Sequence, residues 1–151
     1  VCSYDTMAIG MDAVDKTLIP ITYVATFHPD DIPEIYRRRT MAGGNCDFRI
    51  IGHEKKDGVD IVINDWWRPS GSSSLLGVQA ALRMGYVRIV LCGCPLEGAN
   101  AKGSSYVGFR RGWEAHAVEL AGKVRSMSGW TREFLGAPTD EWVLRGGADE
   151  K

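Results

Sequence analysis

The sequence predicts a three-layer α/β sandwich with a mainly parallel sheet. Three observations carry this. Short β-branched or apolar runs, "PITYVATFH", "FRIIGHE", "VDIVIND" and "VRIVLCG", alternate with segments of helical periodicity. The inner runs are apolar at consecutive positions, as strands covered on both faces are. Turn residues separate the two kinds of segment, and no linker is long enough to divide the 151-residue chain, so one domain over residues 1–151 is expected.

In chain order, "VCSY" reads as a strand end, and Asp5 or Thr6 can cap a short helix, "MAIGMDAVDK", with Met7, Met11 and Val14 on one face. "PITYVATFH" is a strand ending at His28. "PDDIPEIYRRR" has prolines near its start and acids in its first turn, which predicts a helix. "FRIIGHE" and "VDIVIND" are strands around a "KKDG" turn. "SSLLGVQAALRM" is a helix with Leu75, Leu76, Val78, Ala81 and Leu82 on a broad apolar face and Gly85 past its end. "VRIVLCG" is a buried strand. The longest helix is expected over about 105–127, where Tyr106, Phe109, Trp113, Leu120, Val124 and Met127 recur at helical steps, followed by a short helix, "GWTREFLG".

Composition limits the function classes. Hydrophobic residues make up 44% and charged residues 25%, enough for one core, and the net charge of −1 gives no electrostatic reason to expect a nucleic-acid or membrane partner. No apolar run reaches the roughly 18 residues of a membrane span. The first ten residues lack the pattern of a signal peptide, and Val1 is not an initiator methionine, so a natural N-terminal strand and loop are expected to be missing. Cys2, Cys46, Cys92 and Cys94 are too unevenly spaced for a disulfide scaffold; reduced thiols in a cytoplasmic protein are the expectation.

Open parallel sheets bind ligands beyond the carboxyl ends of their strands. Those ends are expected to carry Tyr4 and Asp5; Phe27 and His28; Gly52, His53 and Glu54; Asn64, Asp65 and Trp66; and Gly93, Cys94 and Glu97. His28, Asp65 and Glu97 are the candidate catalytic residues. His28 can move a proton or meet a phosphate, Asp65 can hold magnesium or a ribose hydroxyl, and Glu97 supplies an acid. Asp5, Asn64, Gly93 and Cys94 are candidate ligand contacts. The turn "PSGSSS" adds Ser70, Gly71, Ser72, Ser73 and Ser74 at a helix start, where free amides and the helix dipole favour an anion.

Each candidate has a plain alternative. Any serine there can serve as an N-cap, His28 can pack over the next helix, Asn64-Asp65 can be a turn, and Cys94 can be a buried thiol. Of the adjacent Trp66 and Trp67, one can stack on a base while the other enters the core. Arg37, Arg38 and Arg39 read as a solvated helix face, and His116 as a packed helix residue. Lys102, Arg110 and Arg111 flank a glycine-bearing loop and could close over an anion. No group of residues has the spacing of a structural zinc site.

"SGSSSLLGVQAALRMGYVRIVLCGCPLEG" resembles the Rossmann-like domains of the MptE-like hydroxymethylpterin diphosphokinases and the related bacterial sialyltransferases. Those share a Ser/Gly turn, a small-residue helix ending like Met84-Gly85-Tyr86, and a strand finishing in Gly-x-Asp, whose first residue is matched by Gly93. The resemblance covers about a quarter of the chain. It implies a pocket for a nucleotide or nucleotide sugar near Ser70 to Ser74 and Gly93, used for phosphoryl or glycosyl transfer; the cofactor is left open, with magnesium beside the nucleotide as the candidate. Pro95 follows Cys94 where the family places its aspartate, Glu97 is the nearby acid, and the glycine-rich first loop is absent. The other reading is therefore a non-catalytic binding or assembly module of the same fold. Its aromatic segments around Trp66-Trp67 and 109–113 would form a homo-oligomer interface.

Overall fold

The computed structural model describes residues 4–64, 72–99 and 103–144. Four strands, β1 (Met7–Ile9), β2 (Tyr23–Ala25), β3 (Arg49–Gly52) and β4 (Ile61–Val62), form one all-parallel sheet in that spatial order. Val24 pairs with Ala8 on one side and Ile50 on the other. A second parallel pair joins β5 (Ile89–Leu91) to β6 (Val124–Ser126). The fold is mainly parallel α/β.

Alternation along the strands builds the layers, because successive side chains point to opposite faces. Ala8, Val24 and Ile50 cluster with Val14, Ile32 and Ile35, on the side of α1 (Gly10–Ala13) and α2 (Ile32–Met41). Ala25 and Ile51 cluster with Leu76 and Ala80 of α3 (Ser73–Arg83) on the other side. Helix α3 also turns Leu75 and Val78 into a second core, with Leu91, Trp113, Leu120, Val124 and Leu135. It thereby packs on both sheets. Gly77 permits the close approach: a Cβ there would lie 2.7 Å from Ile9 Cδ1 and 2.8 Å from Met7 Sδ.

The ends of α3 follow the sequence. Ser72 is its N-cap and accepts from Leu75 N. At the other end Gly85 takes φ +91°, its amide donates to Leu82 O at 3.1 Å, and Tyr86 N donates to Ala81 O at 3.0 Å, a Schellman cap.

Three expectations are corrected. Residues 7–9 form strand β1 rather than helix, because parallel pairing with β2 overrides the helix propensity of Met and Ala. Asp5 therefore precedes β1 and stands at the edge where strands begin. There it accepts from Thr22 Oγ1 at 3.2 Å and from the Tyr86 hydroxyl. The long helix over 105–127 is several elements: a 3₁₀ turn (Tyr106–Phe109), α4 (Arg110–Ala115), α5 (Ala117–Leu120) and then β6. His116, at φ −114° and ψ 22°, interrupts the helix, and Gly122, at φ +72°, lies in the turn into β6. Leu120 and Val124 keep helical spacing, but they reach the second core from a helix and a strand.

The third correction is Arg39. It is only 1% exposed, and its guanidinium donates to the carbonyls of Val14, Thr17, Ile19 and Asn45 and to Asn45 Oδ1. Arg37 and Arg38 are the surface members of that run and pair with Glu34.

Helix α6 (Gly129–Leu135) follows β6, and α7 (Asp140–Leu144) ends the described chain. Among the described residues no helix is long and apolar enough to cross a membrane.

Candidate functional site

The carboxyl ends of β2 and β3 open into a cleft of about 490 Å³. Phe27 and His28 enter it from β2, His53 and Glu54 from β3, and the 3₁₀ turn Pro29–Asp31 closes one side. The wall is locally braced. Thr26, buried beneath, accepts from His28 N through Oγ1 at 2.9 Å, and Asp31 N donates to His28 O at 2.9 Å. The Phe27 and His53 rings lie 4.9 Å apart at 37°. His53 Nε2 is 3.9 Å from Glu54 Oε1. Lys56 Nζ lies 2.6 Å from Asp30 Oδ1, and that hydrogen bond raises the lysine's pKa. Lys56 thus balances the Asp30 charge, while Asp31 and Glu54 line the cleft as further carboxyl groups.

Helix α3 is anchored to this place. Phe27 N donates to Ser73 Oγ at 3.2 Å, which sets the first turn of α3 against the end of β2. The first amides of a helix have no intrahelical acceptor, so Ser73 and Ser74 bring donors to this side of the sheet. The serine hydroxyls themselves are engaged within the protein. Ser72 caps the helix, Ser72 and Ser74 are buried with their hydroxyls 2.7 Å apart, and Ser73 receives Phe27. Ser70, Gly71 and Asp65, with Trp66, Trp67 and Lys102, lie outside the described residues. Asn64 is exposed just past β4 and does not line the cleft.

The carboxyl ends of β5 and β6 are filled by the protein. Thr131 Oγ1 donates to Cys94 O at 2.6 Å, with Ser126 Oγ 2.8 Å away. Gly129 packs so closely on Pro95 that a Cβ would fall 2.4 Å from the Pro95 Cβ. Arg110 donates from Nε and Nη2 to Leu96 O, at 3.1 and 3.0 Å, and lies 5.1 Å above the Trp130 ring. Arg110, one of the residues that could close over an anion, is here a strut for the loop that leaves β5. Gly93 takes φ +71°, and among the described residues other than its chain neighbours nothing lies within 4 Å of a Cβ position, so it serves the backbone turn. Glu97 is exposed beyond that turn. Burial, with Cys92 nearby, pushes the Cys94 thiol up to about 11, so it is protonated at neutral pH and reacts more slowly than an unburied thiol.

The expected candidates therefore separate into three places. His28, His53 and Glu54 come together in the cleft; Gly93, Cys94 and Glu97 sit on the loop after β5; and Asp5 is at the opposite edge. Sequence reasoning treated Asp30 and Asp31 only as first-turn helix acids. Their signal was the strand end followed at once by Pro-Asp-Asp. Among the described residues no group of three or more His, Cys, Asp or Glu side chains could hold a metal ion.

No family model, curated protein or solved structure matches the chain. What fold and site define is a class: a mainly parallel α/β protein with an open polar cleft at the carboxyl ends of its strands.

Proposed function

We propose that the chain binds a nucleotide or nucleotide sugar at the cleft formed by β2 and β3, and that phosphoryl or glycosyl transfer is its reaction class. The observation that carries this reading is the joining of the cleft to the α3 N-terminus through Phe27 and Ser73. Asp31 and Glu54 can accept from ribose or sugar hydroxyls, while the amides of Ser73 and Ser74 suit a phosphate. Asp30 stands twenty residues after Gly10, the first residue of α1, which has φ +64°. Dinucleotide-binding α/β folds place a ribose-binding acid about 20 residues beyond their first strand–helix turn. His28, exposed at the rim, is the group able to move a proton. Magnesium would enter with the phosphates, because one or two carboxylates suffice when the nucleotide supplies the other ligands.

A thermal-shift series with CMP, ATP, GTP and nucleotide sugars at millimolar concentration, with and without magnesium, tests the binding step. Ligand at a hundred times its Kd adds about 2.7 kcal/mol, or ~5–10 °C for a chain of this size. No shift with any of them overturns the nucleotide reading.

The second reading is binding without transfer. It is favoured by Pro95, which packs on Gly129 where the resemblance calls for an acid. Ligand-induced stabilisation with no turnover of the bound nucleotide would select it.

A further inference from the structure

Cys92 and Cys94 leave the carboxyl end of β5 with one residue between them, and both are free thiols. The chain bends at Cys92 and Gly93, with Gly93 at φ +71°. Consecutive Cα atoms are about 3.8 Å apart, so a bent three-residue segment spans about 5.5–6 Å, the ordinary Cα separation across a disulfide. The backbone is fixed on both sides of the pair. Met127 N donates to Leu91 O at 3.0 Å before it, and Thr131 Oγ1 donates to Cys94 O after it. Among the described residues, and apart from its two chain neighbours, no atom lies within 4 Å of the Gly93 Cβ position.

The two thiols have unequal surroundings. Cys92 is exposed, whereas Cys94 is half-buried against the second core. Cys92 also contributes electrostatically to the raised Cys94 pKa. The set offers a metal ion only two ligands, since no group of three or more metal-binding side chains occurs among the described residues. Disulfide exchange needs only the pair.

We propose that Cys92 and Cys94 form a reversible dithiol–disulfide site that exchanges with small-molecule disulfides. The Cys92 thiolate attacks one sulfur of the small disulfide, forming a mixed disulfide and expelling one small thiolate. Cys94 then gives up its proton and attacks Cys92 Sγ, expelling the second small thiol. The two protein thiols are oxidised to one disulfide, and the small disulfide is reduced to two thiols.

The test equilibrates the reduced chain with oxidised and reduced glutathione, quenches in acid, alkylates, and measures the mass of the peptide carrying both residues. The expected product lacks two hydrogens and takes up no alkyl group. Cys94→Ser is expected to hold glutathione on Cys92 at about ten times the wild-type level, because its resolving thiol is gone. Cys92→Ser is expected to leave Cys94 fully alkylated. The exposed Cys46 is the internal control. Two results overturn the proposal: a doubly alkylated peptide at ratios that glutathionylate Cys46, or equal glutathione on Cys92 in the wild type and Cys94→Ser. If a serine variant fails to fold, the wild-type peptide mass still decides between a disulfide and two free thiols.

Discussion

Tyr86 donates its phenol hydrogen to the carboxylate of Asp5, tying the approach to β5 to the approach to β1. The bond raises the Tyr86 pKa above the usual phenol value, with burial adding to the effect. A group whose folded pKa is raised contributes stability that is complete below its unfolded value, about 10, and is lost as pH climbs through the folded value. Tyr86→Phe is expected to lower stability by about 1 kcal/mol at neutral pH, the worth of a partly exposed hydrogen bond. The variant should also lose less stability than the wild type above pH 10. Urea unfolding across pH checks both.

Arg39 closes the segment between α1 and β2 by satisfying the carbonyls of Val14, Thr17 and Ile19. Arg39→Ala is expected to cost about 3 kcal/mol through unsatisfied carbonyls and an unfilled cavity. Lysine cannot replace the planar fork, so Arg39→Lys should recover only a small part of that loss. Gly44→Ala should act on the same group, because its Cβ would lie 2.0 Å from Arg39 Nε. Chemical denaturation of the three variants checks the order.

Trp142 holds α7 to the second sheet. The Arg88 and Arg125 guanidiniums lie 5.5 and 5.8 Å from its ring, and its Nε1 donates to Gly122 O at 2.9 Å. Trp142→Ala is expected to cost about 1–2 kcal/mol and to free α7. Hydrogen exchange should show lost protection over 140–144 and none at β2 or β3.

The raised Cys94 pKa sets an order of thiol reactivity. Iodoacetamide near pH 8 is expected to modify Cys46 and Cys92 well before Cys94, because the thiolate reacts and burial disfavours it at Cys94. The Cys94 rate should climb about tenfold per pH unit until it levels off near 11. Peptide mass analysis across pH reads this directly.

The central layers were legible because their signal is local. The apolar runs around 23–25 and 49–51 read as strands covered on both faces, and the structure puts Val24 and Ile50 on the α2 side and Ala25 and Ile51 on the α3 side. β1 and β6 were not legible, because Met7–Ile9 and Val124–Ser126 are short and become strands only by pairing with partners far along the chain. Arg39 read as a surface charge because its acceptors lie 20 to 25 residues away on the chain, apart from Asn45. His28 and His53 were legible as strand ends. The engagement of Ser73 was not, since it depends on Phe27, 46 residues distant.

The most direct test of nucleotide binding is a backbone-amide NMR titration of the full chain with nucleotides and nucleotide sugars, with magnesium present. Binding in the cleft predicts saturable shifts at Phe27, His28, His53, Glu54, Ser73 and Ser74, and their loss in Asp31→Asn. No shift at millimolar ligand, or shifts confined to the opposite edge around Asp5 and Tyr86, would contradict it.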